Sequence, residues 1–459
     1  MEIDPIKHVI VLMLENRSFD QMLGCFGAAV DGVVAGSEGV NYDAAGNSYK
    51  QRPIAETSFA FDPRHEWEHV IDQLADNYGG FVKDFAAAAE GSPTPNDYHG
   101  VMDYFALGQV GALHQLAEHF AVCDRWFSSV PGPTWANRFF VHSGTSLGRV
   151  KMGALHFAGY SQRTIYNELE DKGISWAIYA GDLPQSALLE QLWDHIDHFH
   201  SLGSFYSHAT RSADDFPQYA FLEPRYNPPH QNDDHPPHNV VRAQELLASV
   251  YNAIRANEEL WNSTMFVVLY DEHGGFYDHV IPPAAVSPDG LHQQGCTFTQ
   301  LGVRVPALLV SPWIEQGIFG RAQGKHFDHT SLLRYLCDKD GWNVDPLTAR
   351  VRAAENFASC VNWTAVPRTD TPTSIVMPAM PTLPKAVAAL RATPRARPPL
   401  NENQEGLAAF MQHMGRQRPT QARALAMRAA PAAVPIVPPD PQTAKANFQN
   451  WLAEAESEP

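Results

Sequence analysis

The chain has 459 residues, 44% of them hydrophobic, enough for a substantial core at ~150 residues per domain as a loose guide. Its formal net charge of -18 argues against non-specific binding to nucleic acid or to anionic membranes, which need a basic surface, and leaves a neutral or zwitterionic lipid open as substrate. Five cysteines (Cys25, Cys123, Cys296, Cys337, Cys360), odd in number and without CxxC spacing, suggest neither a disulfide framework nor a zinc knuckle.

In chain order, Met1–Pro5 carries no basic stretch, so the chain as given is expected to be cytoplasmic, or secreted or periplasmic if a leader was removed. No apolar run approaches the ~20 residues of a membrane span, so stable membrane insertion is not expected. Val9–Leu14 is a short continuous apolar run that passes straight into Glu15-Asn16. Met265–Tyr270 does the same into Asp271-Glu272-His273-Gly274-Gly275. Such runs, bounded by polar turn residues, predict parallel strands buried on both faces. Val240–Asn257 has apolar residues at helical spacing, and another strand is predicted over Val305–Val310. The alternation predicts an α/β fold with a mostly parallel central sheet covered by helices. After about residue 380 the composition turns to Pro, Ala and Arg. The expected organisation is a catalytic body over 1–380 and a Pro/Ala-rich extension over 381–459, whose helical piece near Gln404–Arg418 can dock or serve as an interaction arm.

Ligands of open α/β sheets gather beyond the carboxyl ends of the strands. The two acidic strand ends therefore point to one place, and Glu15, Asp271 and Glu272 together would repel each other unless a cation sat among them. This predicts a site for one divalent metal. Oxygen-rich ligands favour calcium, magnesium or manganese; added histidine would permit zinc or iron.

Between the two strand ends lies Val130-Pro131-Gly132-Pro133-Thr134-Trp135-Ala136-Asn137. The turn-forming Pro-Gly-Pro places Thr134 near a helix N-terminus, where free N–H groups favour an anion, and Asn137 one turn on. A hydroxyl there can attack phosphorus if a metal lowers its pKa, and Asn137 can donate to a phosphoryl oxygen. The alternative is a simple helix cap. His65, in Asp62-Pro63-Arg64-His65, and His235, in Asp234-His235-Pro236-Pro237, lie in polar turns. Each can contact phosphate or move a proton, or serve only as a surface hydrogen-bonding group. His273 and His279 are candidates for metal ligands or for orienting them. Asp328-His329 reads as a helix cap with a buried polar network. Trp135, Phe276 and Tyr277 either cage a quaternary ammonium or simply pack.

Ile6–Val11 with Glu15–Asp20, Cys123–Ser129 with the Thr134 loop, Asp234–Pro237, Tyr270–Gly275 and Arg304–Pro306, in this order, closely resemble the phosphoesterase family of bacterial phosphatidylcholine-type phospholipases C and acid phosphatases. That family lies within the alkaline phosphatase-like superfamily. The resemblance implies a three-layer α/β sandwich and one metal held by Glu15, Asn16, Thr134, Asp271 and Glu272. It also implies a transiently phosphorylated Thr134, and phosphate contacts from Asn137, His65 and His235. Position 134 is not a cysteine in a Cys-x-Pro-x-Arg context, so phosphorus is expected rather than sulfur. The expected substrate is a small phosphoester or a phospholipid head group, with monoester against diester open. A non-catalytic metal-stabilised binding protein is the alternative of a different class.

Overall fold

The eight-stranded central sheet has three strands, His8–Leu14, Thr264–Tyr270 and Ala307–Val310, on the predicted apolar runs. Its strands are β1 (His8–Leu14), β2 (Ala121–Cys123), β3 (Trp176–Ala180), β4 (Phe199–Ser201), β5 (Tyr219–Glu223), β6 (Thr264–Tyr270), β7 (Ala307–Val310) and β8 (Gly317–Phe319), in the spatial order β8-β2-β7-β6-β1-β5-β3-β4. This is a computed structural model, and it describes residues 4–54, 56–88, 93–152, 160–228, 230–293, 295–376 and 400–429.

All seven residues of β1 and all seven of β6 are buried, as expected of strands covered on both faces. They are parallel neighbours in a register that pairs Leu14 with Tyr270, so the chain leaves both strands at the same edge. β7 alone breaks the parallel pattern, running antiparallel to both β6 and β2. The predicted strand at Val305–Val310 thus shortens to four residues, and its direction was not legible in an apolar run that carries no polarity of its own.

The helices used below are α1 (Gly111–His119), α2 (Thr134–Ser143), α3 (Ile165–Asp171), α4 (Val240–Ala256), α5 (His329–Asp338), α6 (Glu402–Gln417) and α7 (Pro419–Ala429). α4 matches its predicted span to within one residue, with Val240, Leu247, Val250 and Ile254 on the buried face. Residues 400–429 of the expected C-terminal extension dock on the body. Leu407, Phe410, Met414 and Leu425 are buried in the main core. Gln404 donates to the Tyr226 carbonyl, and Arg428 donates to the carbonyls of Asp197 and Phe199 beside β4. Residues 381–399 and 430–459 of that extension lie outside the described residues. The five cysteines form no disulfide. Among the described residues no helix is long and apolar enough to cross a membrane.

Candidate active site at the ends of the two central strands

Glu15 and Asp271 are the first residues beyond the paired strand ends, and both are fully enclosed. The backbone ties them together: the Asp271 N–H donates to the Leu14 carbonyl at 3.1 Å, and the Arg17 N–H to the Glu272 carbonyl at 3.0 Å. The Asn16 N–H donates to Asp271 Oδ1 at 3.0 Å. Asn16 has a φ of 58°, a left-handed conformation that asparagine tolerates better than most residues. It is pressed against Gly274, also left-handed, where an added Cβ would lie 2.2 Å from the Asn16 carbonyl oxygen. A glycine is therefore required there for the two strand ends to meet.

Thr134 opens α2 and is buried, with Oγ1 3.5 Å from Asn16 Oδ1. The helix starts at the threonine itself, and of its first-turn N–H groups that of Trp135 donates to Met152 Sδ at 3.4 Å and that of Asn137 to the Pro133 carbonyl at 3.4 Å. Asn137 is used differently from the expected phosphate contact. Its Nδ2 donates to the carbonyls of Val130, Gly132 and Pro133, and its Oδ1 accepts from the Val130 N–H at 2.9 Å. The amide is thus spent on the Pro-Gly-Pro turn, and in this structure Asn137 positions Thr134.

The electrostatics centre on Arg138, one turn along α2 from Thr134. Its Nε donates to Asp271 Oδ2 at 3.0 Å and its Nη2 lies 3.5 Å from Glu15 Oε1, with all three side chains about 99% enclosed or more. Burial raises the Glu15 carboxyl well above its ordinary range, outweighing the Arg138 guanidinium. Burial likewise pushes Asp271 up to about 7 against the same guanidinium. Burial works the same way on Glu272, yet His65 and His273 beside it lower its pKa.

Two carboxylate oxygens, Glu15 Oε2 and Glu272 Oε1, are buried without a hydrogen-bond partner among the described residues. Orphaned carboxylate oxygens beside an amide oxygen and a hydroxyl suit an oxygen-ligated divalent cation. Glu15, Asp271 and Glu272 do not, however, gather their oxygens as tightly as the three compact donor clusters found elsewhere among the described residues. Arg138 stands between the first two.

Both predicted histidines face this site. His65 Nδ1 donates to the Pro63 carbonyl at 2.9 Å and His235 Nδ1 to the Pro236 carbonyl, and His235 Nε2 lies 3.9 Å from Asp62 Oδ2. His65 Nε2 lies 3.3 Å from Asn16 Nδ2 and 4.0 Å from Glu272 Oε1, and the two rings stand 5.9 Å apart. Burial alone would lower the His65 pKa, but Glu272, Asp62 and Glu66 outweigh it and raise it to about 10. Burial lowers that of His235.

His273 orients rather than ligates, bonding Gln73 Oε1 at 2.8 Å with its Nδ1 3.4 Å from Glu272 Oε2. His279 belongs to a separate buried ion cluster with Asp20, Asp278 and Arg304. His329 follows the Asp328 cap of α5 and donates to the Asp271 carbonyl at 2.7 Å, the buried network expected of it. The three aromatics do not form a cage. Phe276 is covered by the Arg17 guanidinium at 4.9 Å, Trp135 donates to Asn403, and Tyr277 packs on Phe81.

The resemblance noted in the sequence has independent support. Residues 6–345 match the model of the Phosphoesterase family. The chain belongs to the phosphoesterase family. Non-specific phospholipase C6 of Arabidopsis thaliana is 36% identical to this phosphoesterase over 411 residues, 84% of this chain and 78% of that protein. Phospholipase C B of Mycobacterium tuberculosis is 27% identical over 440 residues, 83% of this chain and 82% of that protein. A solved alkaline phosphatase superfamily protein from Vibrio parahaemolyticus is 11% identical, covering 77% of this chain and 70% of that one, with a TM-score of 0.34. The phosphoesterase is thus a hydrolase of phosphoric esters, which sets aside the non-catalytic alternative.

Proposed function

We propose that this phosphoesterase is a metal-dependent phospholipase C that cleaves the phosphodiester of a zwitterionic phospholipid through a phosphothreonine at Thr134. The observation that carries the reading is the placement of Thr134 Oγ1 at the N-terminus of α2, 3.5 Å from Asn16 Oδ1, together with the buried, unpartnered oxygens of Glu15 and Glu272. Glu15, Asn16, Thr134, Asp271 and Glu272 are the residues that would hold the metal. When bound, the metal supplies the positive charge that lets an alcohol act as a nucleophile near neutral pH.

In the first step the Thr134 hydroxyl gives up its proton to water and its oxygen attacks phosphorus, while the bond to the diacylglycerol oxygen breaks and that oxygen leaves protonated by His65 or His235 through Nε2. The backbone N–H groups of Thr134 and Ala136 and the same two imidazoles are the donors for the phosphoryl oxygens as charge builds there. Water, activated by one of these histidines, then attacks the phosphothreonine and frees the phosphorylated head group. The phospholipid assignment is supported by the relatives named as phospholipases C, and the net charge of -18 favours a zwitterionic over an anionic lipid.

The test is hydrolysis of a phosphatidylcholine beside a chromogenic phosphomonoester, by wild type and Thr134→Ala, before and after chelation with metal add-back. Release of phosphocholine that requires both Thr134 and metal is expected. Preference for the monoester would make the enzyme a phosphatase at the same site, and full activity in Thr134→Ala would remove the nucleophile assignment.

A further inference from the structure

A second set of donor atoms lies at the far edge of the sheet, apart from the strand ends that form the active site. Glu170 lies in the last turn of α3, and His195 caps and His198 ends the 3-10 segment Ile196–His198 that leads into β4, the edge strand. One ligand atom from each falls within 4.8 Å of the other two. Glu170 is exposed and both imidazoles are half-buried, so an ion can reach them from solvent.

Trp176 of β3 sets two of the three donors in place. Its Nε1 donates to Glu170 Oε2 at 3.0 Å, and its carbonyl accepts from His198 Nδ1 at 2.9 Å. Its ring stacks on the His198 ring at 3.9 Å and 17°. With Nδ1 carrying the proton, His198 Nε2 has a free lone pair, the tautomer a metal needs, fixed by the kind of carbonyl contact that orients metal-binding histidines. Neither histidine comes within 4.0 Å of the Glu170 carboxylate, and Asp197 Oδ2 stands 3.9 Å from His198 Nε2, beyond hydrogen-bond reach. The donors are grouped without satisfying one another. Ligands of one zinc ion lie about 3.5 Å apart, so closing the group needs only small side-chain rotations.

We propose that Glu170, His195 and His198 bind a borderline divalent transition metal, zinc or a close analogue, as a structural site separate from the catalytic one. Two imidazoles and one carboxylate exclude calcium and magnesium as preferred occupants, since those ions take oxygen ligands. The ion would staple the edge strand to α3, closing a loop that runs from Glu170 to His198 and otherwise depends on short 3-10 segments. The same segment receives the C-terminal helices: Arg418 pairs with Asp194 at 2.8 Å, and Arg428 donates to the Asp197 carbonyl. Metal at this site would therefore also steady the surface on which α7 docks.

The test uses the full chain, stripped by chelation and titrated with zinc or cobalt(II) alone. His195→Gln removes one ligand whose ring touches its neighbours only at 5.9–6.0 Å, and Glu170→Gln keeps an acceptor for the Trp176 indole. Wild type is expected to bind one more equivalent of zinc than either variant. Only wild type should show the cobalt absorption of a site with nitrogen ligands. At zinc a hundredfold above the Kd, its folded-to-unfolded ratio should rise about a hundredfold more than that of either variant. Metal-free melting of the variants checks that they fold. Equal stoichiometry and equal zinc-induced stabilisation in wild type and both variants would overturn the proposal.

Discussion

Arg138 is the residue on which the active site's stability turns, because it is the permanent cation between two buried carboxylates. It also donates to the Met13 and Leu14 carbonyls at 3.3 Å, so it reads both the charge and the position of the end of β1. Arg138→Met, which keeps length and removes charge, leaves Glu15 and Asp271 uncompensated. The expected cost is roughly 3–5 kcal/mol, read as a lower denaturant midpoint in chelated protein. An unchanged midpoint would mean the two carboxylates are neutral in the folded protein. The sequence made the acidic residues at the strand ends legible and hid this cation for a physical reason. Glu15, Asp271 and Glu272 stand out because acidic residues interrupt apolar runs, whereas Arg138 sits four residues after Thr134 inside a helix, where an arginine usually marks a solvent face. Asn137 shows the converse: its distance from Thr134 pointed at phosphate, but only the carbonyls of Val130, Gly132 and Pro133 reveal that its amide is occupied.

The elements themselves are held in register by polar anchors that a hydrophobic pattern does not display. β1, β6 and α4 could be drawn from apolar spacing alone, but the antiparallel β7 could not. Nor could the contact that ties α1 to the helical turn Phe19–Leu23. His114 of α1 accepts from the Gly108 N–H at Nδ1 and donates from Nε2 to the Met22 carbonyl, both at 2.8 Å. That pairing is possible only for the neutral ring, since a proton on Nδ1 would face the Gly108 N–H. Burial accordingly lowers the His114 pKa from 6.5 to about 4. Its folded-state pKa lies below the unfolded one, so between those values the unfolded chain takes up a proton that the folded chain refuses. Stability contributed by this residue is therefore present above pH 6.5 and is lost as pH falls toward 4, by up to roughly 3 kcal/mol at about 1.4 kcal/mol per pH unit. Buried Asp182 and Asp234, both pushed up to about 7 chiefly by burial, act in the opposite sense over an overlapping range. The measurement is thus a difference: thermal melts of wild type and His114→Gln from pH 4 to 7. Wild type should lose more stability than the variant as the solution is acidified, and parallel curves would show that His114 titrates normally.

At the scale of the whole molecule, the C-terminal segment changes what the body is. Pro, Ala and Arg richness made residues beyond 380 read as an extension, yet α6 places apolar residues on one face and buries them. Its first turn reaches α2, where Asn403 Oδ1 accepts from Trp135 Nε1 at 2.9 Å, one residue from Thr134. Asn401 caps α6 through a reciprocal pair with Gln404, which is why this helix begins cleanly after a Pro-rich stretch. A segment bound this way contributes to the folding equilibrium of the body instead of trailing from it. Phe410, fully buried in the main core, is the residue that tests the coupling. Phe410→Ala should cost roughly 3–5 kcal/mol if α6 unfolds together with the sheet, lowering the single cooperative transition. If α6 instead peels away first, the variant should leave the main transition where it is and add an early one of small amplitude. The position of Trp135 makes the distinction visible in one experiment, because its indole loses the Asn403 contact when α6 departs. A fluorescence change ahead of the loss of helical signal would report separate melting, and coincident curves would report that residues 400–429 and the catalytic body fold as one unit.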